Sequence, residues 1–203
     1  MEAFWKIWPT WYQGLHTFRI TGGEPLLSKH TWKIFDYIEA NPNPRLAFAI
    51  NTNLGVPPKL IEKLIQRLHD IQGKIASCSL FTSLEATGPR AEYIRFGLNY
   101  DEFIDNLSRV LAVKTSVIQK VNIMTTVNAL CYSTFHDFLE TVVKLRQVYD
   151  TNPVHTRIGF MVNYLRHPPF LDTRVLPDSI KDIFEANLNP FTVESYNFSG
   201  LYL

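Results

Sequence analysis

The stretch Phe18-Arg19-Ile20-Thr21-Gly22-Gly23-Glu24-Pro25-Leu26-Leu27 decides the fold. A short run over residues 17–21 reads as a strand. It stops at two glycines, whose backbones reach conformations closed to other residues and let a ligand approach closely. Glu24 adds a carboxylate, Pro25 stiffens the exit, and a helix begins near Ser28. Strand, glycine turn and helix make one βα unit, and α/β folds place ligands at the carboxyl ends of their strands. The Lys-Ser or Lys-Thr that follows the glycines of a phosphate loop is absent. A backbone edge with one negative charge suits an ammonium group better than a phosphate.

The same alternation continues outward. Trp32, Phe35 and Ile38 have helical spacing; Pro42 and Pro44 break the chain; residues 46–50 read as a buried strand. Pro57-Pro58 opens a helix whose apolar stripe is Leu60, Ile61, Leu64, Ile65 and Leu68. Strands follow over 74–84, 121–127 and 156–162, with helices over 100–113, 135–148 and 177–188. Such βα alternation predicts a parallel sheet flanked by helices, closed either as an open doubly wound sheet or as a barrel. The expected fold is α/β, a partial (β/α) TIM-like barrel of about five to six βα units in a single domain over 1–203. The first fourteen positions are Trp-rich, with Trp5, Trp8 and Trp11 at every third position and Pro9 predicted to interrupt any helix they share. An aromatic cluster packed on the domain is the expectation there. The 189–203 tail ends in the apolar run Gly200-Leu201-Tyr202-Leu203 and reads as a truncated strand.

Composition narrows the function. Of 203 residues 46% are hydrophobic and 13% aromatic, enough for a packed core. Twenty Lys+Arg against 19 Asp+Glu leave a formal charge of +1, which gives no footing for nucleic acid or an anionic membrane. No apolar run approaches the roughly eighteen residues of a membrane span, and the first residues lack a secretory pattern, so a cytoplasmic location is the default. Two cysteines, Cys78 and Cys131, support neither a disulfide framework nor a cysteine-rich metal site, and both read as buried, inert thiols. The histidines His16, His30, His69, His136, His155 and His167 contain no helical metal-binding pair.

The segment from Ile20 to Leu27 resembles the GGEP motif of the radical SAM superfamily. Ile50-Asn51-Thr52-Asn53-Leu54-Gly55 resembles the Thr-Asn stretch ending that family's third strand, and Ser83-Leu84-Glu85 the polar pair ending its fourth. Ala91-Glu92-Tyr93-Ile94-Arg95 with Phe96-Gly97 resembles the segment leading into its fourth helix. The resemblance covers about residues 14–164 and is nearest to peptide-maturing members with SPASM or twitch extensions.

The resemblance implies S-adenosylmethionine as cofactor, with Gly22, Gly23 and Glu24 of the motif, beside Pro25, holding its methionyl ammonium. It implies Ser83 and Glu85 at the ribose or methionyl group, Arg95 on the methionyl carboxylate, and Asn53 and Asn128 as polar wall. It further implies a 4Fe–4S cluster, a reductant such as flavodoxin or ferredoxin, and hydrogen abstraction from a peptide or small-molecule substrate. The residues also permit plainer readings: Ser83 and Glu85 capping or salt-bridging, Arg95 solvated, Asn53 and Asn128 turning the chain. The family's cluster needs the cysteine pattern CxxxCxxC just before GGEP, and this sequence has no such triad. A fragment that has lost its cluster loop is the preferred explanation; a cluster-less homologue acting as a binding or scaffold protein is the alternative. A coincidental Gly-Gly-Glu-Pro in an unrelated α/β protein is the third. In each case these 203 residues alone are expected not to cleave S-adenosylmethionine reductively.

Overall fold

The computed structural model describes residues 1–113, 117–150 and 156–188. His155 and the 189–203 tail lie outside the described residues. Five strands, β1 (Thr17–Ile20), β2 (Asn43–Asn51), β3 (Ile75–Ser83), β4 (Ile118–Val127) and β5 (Ile158–Tyr164), form one sheet in the order β1-β2-β3-β4-β5. Every neighbouring pair is parallel. The helices are α1 (Glu2–Tyr12), α2 (Lys29–Ala40), α3 (Pro58–Asp70), α4 (Gly88–Ile94), α5 (Tyr100–Leu111), α6 (Phe135–Tyr149) and α7 (Asp178–Leu188). The strand order never reverses, so the sheet has no switch point of the doubly wound kind. Right-handed crossovers running in one direction carry the connecting helices to one side. Among the described residues the sheet is open: β1 pairs with β2 alone and β5 with β4 alone.

The two faces differ accordingly. On one, Trp8 of α1 meets Phe18 (ring centroids 4.7 Å apart), Phe35 of α2 meets Phe48 (5.4 Å), and Phe138 of α6 meets Phe160 (5.7 Å). The cross-strand row Ile50, Leu80, Val121 and Ile158 is fully buried there, each side chain contributing about 1.5–3 kcal/mol. The opposite face carries the rows Arg19, Ala49, Ser79, Lys120 and Asn51, Phe81, Asn122, Gly159. No described helix buries it; apart from the buried Gly159, these residues are half-buried or exposed.

Three local readings change. Helix α1 runs through Pro9 instead of stopping there. An interior proline costs about 3 kcal/mol. Trp8 and Tyr12, however, are 1% and 0% exposed and pack edge-on against Tyr37. Two rings of about 200 Å2 at about 25 cal/mol/Å2 offer about 10 kcal/mol, which outweighs the proline. Trp5 and Trp8 join this cluster, while Trp11 is 54% exposed. Strand β2 begins at Asn43, ahead of Pro44. The register slips between Asn43 and Ala47, and an irregularity is where a strand accepts a residue without an N–H. Helix α4 escapes the periodic pattern because only Ala91 in it is buried.

Candidate functional site

At the carboxyl end of β1 the chain turns through Gly22 (φ 88°) and Gly23 (φ 58°), both in the left-handed region that favours glycine. A methyl group added at either would meet nothing within 4 Å, so the glycines leave an open approach to the backbone. Glu24 follows, and its carboxylate ties this turn to the end of β2. Its Oε1 accepts from Leu26 N (2.9 Å) and Thr52 Oγ1 (2.7 Å), and its Oε2 accepts from Asn53 N (2.7 Å). An ionised carboxylate has about four acceptor positions. Three are filled from this chain, which leaves room on Oε2. Pro25 is buried in the first position of a short 3-10 turn capped by Glu24.

The β2 loop is equally fixed. Thr52 is buried, and its Oγ1 accepts from Leu54 N (3.1 Å); Leu54 is a non-glycine residue at φ 55°. Asn53 Oδ1 accepts from Gly55 N (2.9 Å). From α5, the buried Asn106 donates through Nδ2 to the carbonyls of Leu54 (2.8 Å) and Val56 (2.9 Å). Four hydrogen bonds therefore hold a strained five-residue turn against the helix layer.

Beside this loop lies a cavity of about 320 Å3, lined by Asn53, Gly55, Ser83, Arg95, Phe96 and their neighbours. Arg95, on its wall, pairs with Glu85, donating through Nε (3.1 Å) and more tightly through Nη2. Glu85 is 3% exposed. Burial pushes its carboxyl above the ordinary value, and the charge and hydrogen bonds of Arg95 pull it part of the way back. The ring of Phe96 stands fully exposed at the rim. A second, mostly apolar cavity of about 210 Å3 lies behind the glycines, between α1, β1 and α2, lined by Trp5, Phe18, Thr21, Gly22, Pro25 and His30 among others. There Trp5 Nε1 donates to His30 Nδ1 (3.1 Å).

The structure thus links Glu24 to Asn53 and gathers Asn53, Ser83 and Arg95 around one cavity. Glu85 is buried as the partner of Arg95. Asn128 stands apart as a turn residue: its Oδ1 accepts from Leu130 N (2.9 Å) and its Nδ2 donates to Thr126 O (3.0 Å). Both thiols are buried, Cys78 pushed up to about 12 and Cys131 to about 11 by loss of solvent. Among the described residues no three His, Cys, Asp or Glu side chains converge as a metal site. No described helix is long and apolar enough to cross a membrane.

Sequence reasoning missed Thr52 as a brace for Glu24, and it missed Arg19 on the uncovered face of the sheet. On that face Arg19 Nε donates to Asn51 Oδ1 (2.7 Å), and the guanidinium lies 4.0 Å from the Phe81 ring centroid. The signal was present in Thr17-Phe18-Arg19-Ile20, which alternates as a half-covered strand does. No family model matches the chain, and no curated protein matches it.

Proposed function

We infer that this chain binds S-adenosylmethionine as part of a radical SAM-type barrel. The observation that carries the reading is the Gly22-Gly23-Glu24 turn, braced to Thr52 and Asn53, with an acceptor position left on the Glu24 carboxylate. A primary ammonium fits there: one N–H to Oε2, the others to backbone carbonyls freed by the two glycines. Asn53 and Ser83 line the adjoining cavity, and Phe96 offers a ring face for an adenine at its rim. Sequential strand order with helices on one side supports reading the open sheet as an arc of a (β/α) barrel. The sulfonium cofactor fits the residues present; the 4Fe–4S cluster does not. Two buried thiols, one within β3 and one after β4, cannot supply its cysteine triad. That disagreement favours a second reading, in which the same pocket serves a binding protein without radical chemistry.

Calorimetric titration of S-adenosylmethionine into the parent chain and into Glu24→Ala tests the first reading. Saturable binding that weakens at least tenfold in the folded variant supports the pocket; equal affinity in both refutes it. Iron counting and 5′-deoxyadenosine assay after anaerobic reconstitution separate the readings. About four irons per chain with product formed would sink the cluster-less one.

A further inference from the structure

The uncovered face of the sheet is chemically one-sided. Its strand positions include two cations, Arg19 on β1 and Lys120 on β4, and neither aspartate nor glutamate. Across the whole chain acids and bases nearly cancel, so the asymmetry belongs to this face. Among the described residues Arg19 makes no ion pair with a carboxylate. Its contacts are neutral: Asn51 Oδ1 on Nε at 2.7 Å, Met124 Sδ near Nη2 at 3.9 Å, and the Phe81 ring against its plane. The contact with Phe81 and the Nε bond hold the guanidinium in place, while Nη1 and the second hydrogen of Nη2 have no partner among the described residues. A guanidinium held at an exposed surface with donors left over can recognise an oxyanion.

A second observation shows that this surface is built. Gly159 on β5 lies beneath Asn122 and Lys120: a methyl group there would fall 2.1 Å from Asn122 Oδ1 and 3.2 Å from Lys120 Cδ. Glycine at this position leaves room for the Asn122 amide, in the row that holds Phe81, and for the Lys120 stem beside it.

We propose that this face is the substrate floor and that the substrate carries an oxyanion, a carboxylate or a phosphate, which Arg19 grips from its place between Asn51 and Phe81. The Glu24 turn lies at the ends of β1 and β2, so the proposal does not depend on the cofactor reading. A chain that fails to take up S-adenosylmethionine still tests it.

The test uses the full chain, followed through the Arg Nε–Hε signals in proton–nitrogen correlation spectra. The probes are succinate, inorganic phosphate and the uncharged succinamide. The expected result is saturable movement of one arginine signal with succinate or phosphate and none with succinamide. That signal should vanish in Arg19→Gln, with the affinity, read from backbone shifts, at least tenfold weaker. Arg19→Lys, which keeps the charge without the fork, should weaken binding less than Arg19→Gln. The tighter of succinate and phosphate names the source of the oxyanion. Failure of both anions to bind, equal movement with succinamide, or parent-like affinity in a folded Arg19→Gln overturns the proposal.

Discussion

Removing Arg95 strands a buried charge, and the cost can be worked out. Glu85 is 3% exposed, and Arg95, whose side chain is 30% exposed, is its ion-pair partner. Breaking a buried pair from one side costs about 3–5 kcal/mol, because the remaining charge has lost both water and partner. The partial exposure of Arg95 puts this pair near the lower end, about 3 kcal/mol at pH 7. In a chain of this size that corresponds to a fall in Tm of about 6–12 °C. The pH dependence identifies the cause. Unfolded, Glu85 titrates near its ordinary 4.5; folded, burial raises it. A carboxyl raised on folding favours the native state below the unfolded value and withdraws that support as pH climbs through the folded one. Arg95→Ala removes the charge that pulls the folded value back, so the withdrawal becomes larger and extends to higher pH. Near pH 4 the carboxyl is mostly neutral in both states, and the variant should lose only about 1 kcal/mol, the worth of an ordinary hydrogen bond. Urea unfolding of parent, Arg95→Ala and Glu85→Gln/Arg95→Ala from pH 4 to 8 measures this. A deficit that stays constant with pH, or a double variant as unstable as the single one, would refute the reasoning.

Other substitutions probe the frame of the site. Glu24→Ala should cost about 3 kcal/mol in urea unfolding, since the buried Thr52 hydroxyl and the Leu26 N–H each lose an acceptor at about 1–3 kcal/mol. Thr52→Val should be strongly non-additive with it in a double-mutant cycle. Pro9→Ala should raise stability by about 2 kcal/mol by restoring an interior helical hydrogen bond, read as a higher urea midpoint. Trp8→Ala, by contrast, should lose about 3–5 kcal/mol by emptying the aromatic cluster. Gly159→Ala should destabilise by about 1–3 kcal/mol through collision with Asn122, and its crystal structure should show Asn122 and Lys120 displaced.

The sheet was legible because each strand carries an apolar row that must be buried, and each helix after it has a stripe to do the burying. Leu60, Ile61, Leu64, Ile65 and Leu68 located α3 this way. The end of β1 was equally plain, since Gly22, Gly23 and Glu24 mark a turn and a charge in one place. What escaped depends on contacts between distant positions. Thr52 looks like any strand-end threonine until Glu24 is folded against it. Helix α1 through Pro9 depends on Tyr37 and Phe18, which no local pattern links to Trp8. Arg19 escaped because its partners Asn51 and Phe81 lie on strands distant in sequence. Here one side is bare, and alternation with a charged residue was the mark of it.

That bare side divides the molecule's labour. Residues facing the helices answer to packing, where a lost methylene is felt throughout the core. Residues facing the other way, such as the half-buried Ser79 and the exposed Asn163, are open to solvent, so exchanging one for another costs little folding energy. A chain arranged like this can change what it recognises while its framework stays the same. Selection for a new ligand would be recorded on alternate positions of five strands, and the intervening positions would be left as they were.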